Sequence, residues 1–178
     1  MDGYRLPETA EFFGKQYTLR TDFRVILKLI AYLEHATVPM ALRWQVALRT
    51  FYAEPIPQEA EVAALEFLAA FLSGGTAPKP GPKRLDWFID APAIVAGVNR
   101  VAGMEVRSLP HLHWWTFLSF FHSIGDGQLS LLVGIRDKLQ KGKKLDPQEL
   151  EFYRQNAAWV RMERPDPEKD RLQKLLQS

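Results

Sequence analysis

Apolar residues alternate at the start of the chain and then recur at helical spacing. Ala10 and Phe12 precede a Gly14-Lys15 turn and Tyr17 and Leu19 follow it, a pattern that predicts a short β-hairpin. Thr21 or Asp22 can cap a helix in which Phe23, Ile26, Leu27, Ile30 and Leu33 return every three or four residues as far as Glu34. A second helix is expected from near Pro39 to about Tyr52. Pro55 and Pro57 interrupt the chain, and Gln58, Glu59 and Glu61 then give the next helix an acidic first turn. Val62, Leu65, Leu68, Ala69 and Leu72 form its apolar stripe, and Ser73-Gly74-Gly75 ends it, since glycine tolerates the left-handed C-terminal position.

The segment GGTAPKPGPKR, from Gly74 to Arg84, holds three glycines and three prolines and cannot form a regular element. Beyond it Asp90 can cap a helix running through Ala102 to Gly103. A strongly apolar segment follows from His111 to Ile124, broken by Gly125-Asp126-Gly127. Leu131, Leu132, Ile135 and Leu139 mark a further helix. Asp146-Pro147-Gln148-Glu149 carries a capping residue, a proline at the first helical position and a glutamate at the third, which together make a capping box. Leu150, Tyr153, Ala157 and Val160 continue that helix.

The expected fold is therefore mostly α, a compact multi-helix bundle with a short N-terminal β-hairpin. Its divisions are an N-terminal hairpin and helices at 1–73, a Pro/Gly-rich linker at 74–85, a C-terminal helical part at 86–164 and a charged tail at 165–178. The helical part can also pack with 1–73 as one domain. In the tail only Leu172, Leu175 and Leu176 are placed for a two-turn amphipathic helix, too short to stand alone, which leaves fraying or docking on a partner.

Leu112 to Ile124 is the most unusual stretch. Its apolar residues cover about two-thirds of a helical wheel and leave His113, Thr116, Ser119 and Ser123 in one narrow polar sector. Such a helix is buried on several sides, either centrally in a bundle or against a partner chain.

Composition narrows the functions. The 178 residues are 47% hydrophobic, too apolar for disorder, and they include no cysteine, so no disulfide framework, thiolate metal site or thiol nucleophile is available. The first nine residues do not resemble a secretory signal, and no apolar run approaches the length of a membrane span; a soluble, cytoplasmic protein without membrane contact is expected. The formal net charge is +2, divided as −2 over residues 1–77 (7 basic, 9 acidic) and +4 over 78–178 (16 basic, 12 acidic). The densest basic run, Arg136 to Lys144, contains no aromatic residue and is read as a solvated helix end and not as a nucleic-acid surface.

Chemistry offers little to pursue. On a helix His111 and His113 point about 160° apart and His122 lies about 16 Å from His111 along the axis, so the three do not share a metal ion. Gly125-Asp126-Gly127 lacks the spacing of a phosphate-binding loop, and no nucleophile motif of the form G-x-S-x-G is present. Pairs such as Glu59 and Glu61, or Asp166 and Glu168, read as solubilising acids. No catalytic residue, cofactor or metal is expected.

Several short segments resemble the bacteriophage gene-product-fifteen family of siphophage and prophage tail modules. They are Leu6-Pro7, Thr21-Asp22-Phe23-Arg24, Asp86-Trp87-Phe88, Asp90-Ala91-Pro92-Ala93-Ile94, Leu112-His113-Trp114-Trp115-Thr116-Phe117-Leu118 and Ile135-Arg136. The likeness runs from about residue 6 to residue 160, and the histidine-tryptophan segment is its most specific part. It implies a non-enzymatic tail assembly protein of the host bacterial cytoplasm, a chaperone that binds the tape measure protein, with other tail proteins as further partners and homo-oligomers possible. The alternative is a structural tail component retained in the virion. A helix-in-groove contact would suit a long apolar client, and Trp114, Trp115, Phe117 and Phe121 are the expected contributors, either directly or by shaping the groove.

Overall fold

The computed structural model describes residues 4–34, 37–75 and 82–163. Among them it shows the mostly α fold and the N-terminal hairpin, with eight α-helices, two short 3-10 turns and one pair of strands. The tail 165–178 and residues 76–81 of the expected linker lie outside the described residues.

Strands β1 (Thr9–Phe12) and β2 (Lys15–Thr18) pair antiparallel with Ala10 opposite Tyr17 and Phe12 opposite Lys15. The turn is Phe13-Gly14, one residue earlier than the expected Gly14-Lys15. Both central residues have positive φ, 52° and 76°, as a two-residue hairpin turn of matching twist requires. Glycine accepts that geometry freely, and Phe13 adopts it with its ring exposed to solvent. Period-two alternation sends Ala10, Phe12 and Tyr17 to one buried face.

The chain forms two compact units, and they are not the two halves expected on either side of the Pro/Gly-rich segment. One contains residues 1–81 and 101–123, the other residues 82–100 and 124–178. In the first, α1 (Phe23–Leu33) starts at Asp22, whose carboxylate accepts from the Arg24 backbone N–H, and pairs with α2 (Met40–Phe51). Helix α3 (Glu61–Leu72) follows a 3-10 turn at Gln58–Ala60. It buries Ala64, Leu68 and Phe71, so the expected stripe is rotated: Val62 is 70% exposed and Ala69 faces solvent. Tyr52 anchors α3 by donating its hydroxyl to the Ala64 carbonyl at 2.8 Å, and burial pushes that phenol far above its ordinary value.

Residues 101–123 belong here because backbone and indole groups tie them in. Phe23 N–H donates to the Leu112 carbonyl at 3.0 Å and Trp114 N–H to the Thr21 carbonyl at 2.7 Å, so Leu112–Trp114 runs as a bridge beside Thr21–Phe23. The Arg24 guanidinium donates to the Leu109 carbonyl. A 3-10 turn at Val106–Ser108 precedes this segment, and α5 (Trp114–His122) ends it, shorter than the expected Leu112–Ile124.

The second unit holds most of α4 (Ala91–Ala102), with α6 (Gln128–Gln140), α7 (Pro147–Gln155) and α8 (Ala157–Val160). Asp146 and Glu149 form the capping box as expected. Asn156, at φ −127° and ψ 31°, separates α7 from α8, so Leu150 to Val160 is not one helix. Residues 82–85, assigned to the linker, are held in this unit: Lys83 pairs with Asp86 at 3.1 Å and Arg84 with Asp137 at 2.8 Å.

Candidate functional site

The aromatic segment divides between core and surface. Trp114 and Phe117 are each 1% exposed, and Phe117 stacks between Phe23 (4.6 Å between centroids, 6° between planes) and Trp114 (5.7 Å, 15°). The Trp114 indole donates to the Leu72 carbonyl at 3.0 Å and the Trp115 indole to the Phe71 carbonyl at 2.9 Å, in the last turn of α3, where the Phe71 carbonyl also accepts from the Gly74 backbone N–H at 3.1 Å. In the folded unit neither Trp114 nor Phe117 presents surface to a partner. Trp115 and Phe121 are half-buried and keep one side accessible.

His113, expected in the polar sector of that helix, is buried and serves as its N-cap. Its Nδ1 accepts from the Trp115 backbone N–H at 3.0 Å, which leaves Nε2 to donate to the Pro7 carbonyl at 3.2 Å. That pattern requires the neutral ring with its proton on Nε2. Burial lowers the imidazole below its ordinary 6.5, and His111 adds to the lowering against the opposing pull of the Pro7 carbonyl and Glu8. An unfolded chain therefore takes up this proton at a higher pH than the folded one, and acid favours unfolding. Stability from this group is complete above pH 6.5 and declines as pH falls below 6.5 toward the lower folded value. Urea titrations between pH 7.5 and 5 should show the decline, and His113→Asn, which keeps a capping acceptor but does not titrate, should flatten it. An unchanged slope in that variant would assign the pH dependence to other groups.

The second unit is organised around an ion pair that the sequence concealed. Arg136, read as part of a solvated basic run, is 2% exposed, and its partner Asp90 is 0% exposed. Two parallel bonds join them at 2.6 and 2.9 Å. The other guanidinium N–H groups donate to the carbonyls of Val160 (2.9 Å), Arg84 (3.0 Å) and Trp159 (2.6 Å), so all five donors are used. Asp90 also accepts from the Trp159 indole at 2.8 Å and the Asp86 backbone N–H at 2.9 Å. Asp90 thus precedes α4 as expected, but its carboxylate serves this network. Burial would raise the Asp86 carboxyl; donors from the Ile89 and Phe88 backbone and the Lys83 ammonium outweigh it and hold the group below the usual range. With its hydrogen-bonding capacity filled, the network joins residues 84–90, α6 and α8.

The segments that carry the family resemblance converge on these two places. Pro7, Thr21 to Arg24 and Leu112 to Leu118 meet around the start of α5, while Asp86, Asp90 and Arg136 meet in the buried ion-pair network. No family model, curated protein or solved structure matches the chain.

Among the described residues no cluster of three or more His, Asp or Glu side chains is placed to hold a metal ion, and no helix is long and apolar enough to cross a membrane. What the first unit offers a ligand is apolar surface. On α2 the stripe that buries Ala47, Leu48 and Phe51 continues toward the N-terminus as Met40 and Trp44, which are 55% and 38% exposed. A separate groove of about 200 Å³ runs between α1 and α2, lined by Lys28, Leu29, Tyr32, Val46, Ala47 and Thr50.

Proposed function

We propose that this chain is a non-enzymatic phage tail assembly protein of the bacterial cytoplasm, a chaperone that keeps a tape measure protein soluble until the tail forms around it. The resemblance borne by Leu112 to Leu118 and its companion segments carries the reading. The exposed apolar end of α2 supports it, because a holding chaperone needs such a surface and a monomer without a partner gains nothing from one. Full burial of an exposed apolar side chain contributes about 1.5 to 3 kcal/mol, and covering Met40 and Trp44, already partly buried, with a client helix would contribute roughly half of that each. Binding only the unassembled client then shifts its population away from aggregation by mass action. The half-buried Trp115 and Phe121 are a further contact region, and the buried Trp114 and Phe117 act by fixing the shape of the unit.

Co-expression with the cognate tape measure protein tests this directly. The client's soluble fraction should rise and the two proteins should co-purify, while Met40→Ser with Trp44→Ser should keep the helical spectrum and lose capture. A folded wild-type chain that neither binds nor solubilises the client, and that is found in purified particles, would instead make it a structural component of the virion.

A further inference from the structure

We infer that Phe13, at the tip of the hairpin, is an anchor for the client, its ring inserting into an apolar notch on the client's surface. The inference rests on the chaperone reading and adds a contact that reading does not name. Phe13 is the first central residue of a turn that needs positive φ at both positions, and at φ 52° it occupies the left-handed region. Asparagine, aspartate or glycine ordinarily stand there, because a bulky side chain crowds its own backbone in that conformation. The phenyl ring is also 78% exposed. Its neighbour Phe12 packs on Tyr17, Tyr52 and Phe67, and the Lys15 ammonium lies over the Tyr17 ring at 5.0 Å, whereas Phe13 stacks on no other ring among the described residues. One position thus combines a strained backbone with an apolar ring in water, and no contact among the described residues offsets either. Strain of this kind clusters at binding sites, where the bound state makes use of it.

The base of the hairpin is fixed. Its ladder runs from Thr9 opposite Thr18 to Phe12 opposite Lys15, and beyond it the Leu19 N–H donates to the Glu8 carbonyl at 2.9 Å and the Ala53 N–H to the Thr18 carbonyl at 2.9 Å. The Glu54 carboxylate accepts from both the backbone N–H and the hydroxyl of Thr18. A ring carried on so rigid a projection loses little conformational freedom when a partner covers it, so more of its apolar contact appears as affinity.

Around the ring Glu11, Gly14, Lys15 and Gln16 are exposed, which gives the tip an aromatic centre with a polar rim, the arrangement of a protein contact. A lipid surface suits it less well: membrane-binding segments offer a broad apolar face with an excess of cations, and here one ring stands between Glu11 and Lys15. A client that aggregates before assembly exposes apolar surface of the kind the ring can enter.

Phe13→Asn separates binding from folding, because it relieves the backbone while deleting the ring. Its melting midpoint should rise by roughly 2 to 4 °C. The concentration of purified chain that keeps half of the denatured, diluted tape measure protein in solution should increase about tenfold or more. Gln16→Ala, an exposed change close by, should alter neither. A Phe13→Asn chain that holds the client as well as wild type would overturn the anchor and leave the chaperone reading standing, and one that melts below wild type would show that the ring serves the fold instead. A wild-type chain that holds no client at any concentration would overturn the chaperone reading and the anchor with it. Binding of the wild type, but not of Phe13→Asn, to vesicles of phosphatidylcholine and phosphatidylserine would make a membrane the occupant and overturn the proposal as well.

Discussion

Replacing Arg136 with methionine should destabilise the second unit by about 3 to 5 kcal/mol, the range for removing one partner of a buried ion pair. Methionine fills similar space, so lost volume is not the main cause. The cost arises because Asp90 remains at 0% exposure with a charge whose bidentate partner is gone, while the carbonyls of Val160 and Arg84 lose their donor and that of Trp159 keeps only the Met162 backbone N–H. Simple buried pairs can be exchanged for two apolar residues at little cost. This one should not be, because Arg136→Met with Asp90→Leu still strands the Val160 and Arg84 carbonyls, the Asp86 amide and the Trp159 indole. The double variant should therefore remain well below wild type, although less destabilised than the sum of the single changes, since the two residues are directly coupled. Hydrogen exchange gives the measurement: amides of α4, α6 and α8 should lose protection in Arg136→Met, while those of α1 and α5 keep theirs. Uniform loss across both units would show that they unfold as one.

That network also shows where sequence reading stops. The hairpin, the helix starts at Asp22 and Asp146 and the glycine-terminated end of α3 were legible because each depends on residues within a few positions of one another. Arg136 stands 46 residues from Asp90 and beside four lysines, so nothing local separates it from a solvated charge. The buried face of α3 was misread for a related reason. A helix apolar around most of its circumference has no single stripe, and the packing of α2 and β1 chooses Ala64, Leu68 and Phe71 over Val62 and Ala69. In α5 the aromatic density was correctly taken as a sign of burial, but His113 was assigned to a polar face when its ring is the cap. The division into two units escaped because it follows the return of residues 101–123 to the first helices, a contact made across about 90 residues of sequence.

Trp114→Ala should cost about 3 to 5 kcal/mol, the range for truncating a large buried aromatic, which is a large part of the 5 to 15 kcal/mol that typically holds a domain folded. Three losses combine: the cavity left by the indole, the stacking contact that continues through Phe117 to Phe23, and the hydrogen bond that occupies the Leu72 carbonyl. Trp114→Phe separates them, since a ring still faces Phe117 and only the hydrogen bond and part of the volume are lost, so it should cost roughly 1 to 3 kcal/mol. Urea unfolding followed by circular dichroism should place the alanine variant far below the phenylalanine one; equal midpoints would mean that the stack contributes little. The same numbers decide how a binding defect is to be read. A Trp114→Ala chain that no longer captures a client has lost the frame on which every surface of the first unit is mounted, whereas a Trp44→Ser chain loses only a half-exposed ring at the open end of α2. If capture fails in the second variant while its melting curve matches wild type, the contact lies on α2; if it fails only in variants that also melt early, the aromatic segment contributes architecture and the client binds elsewhere.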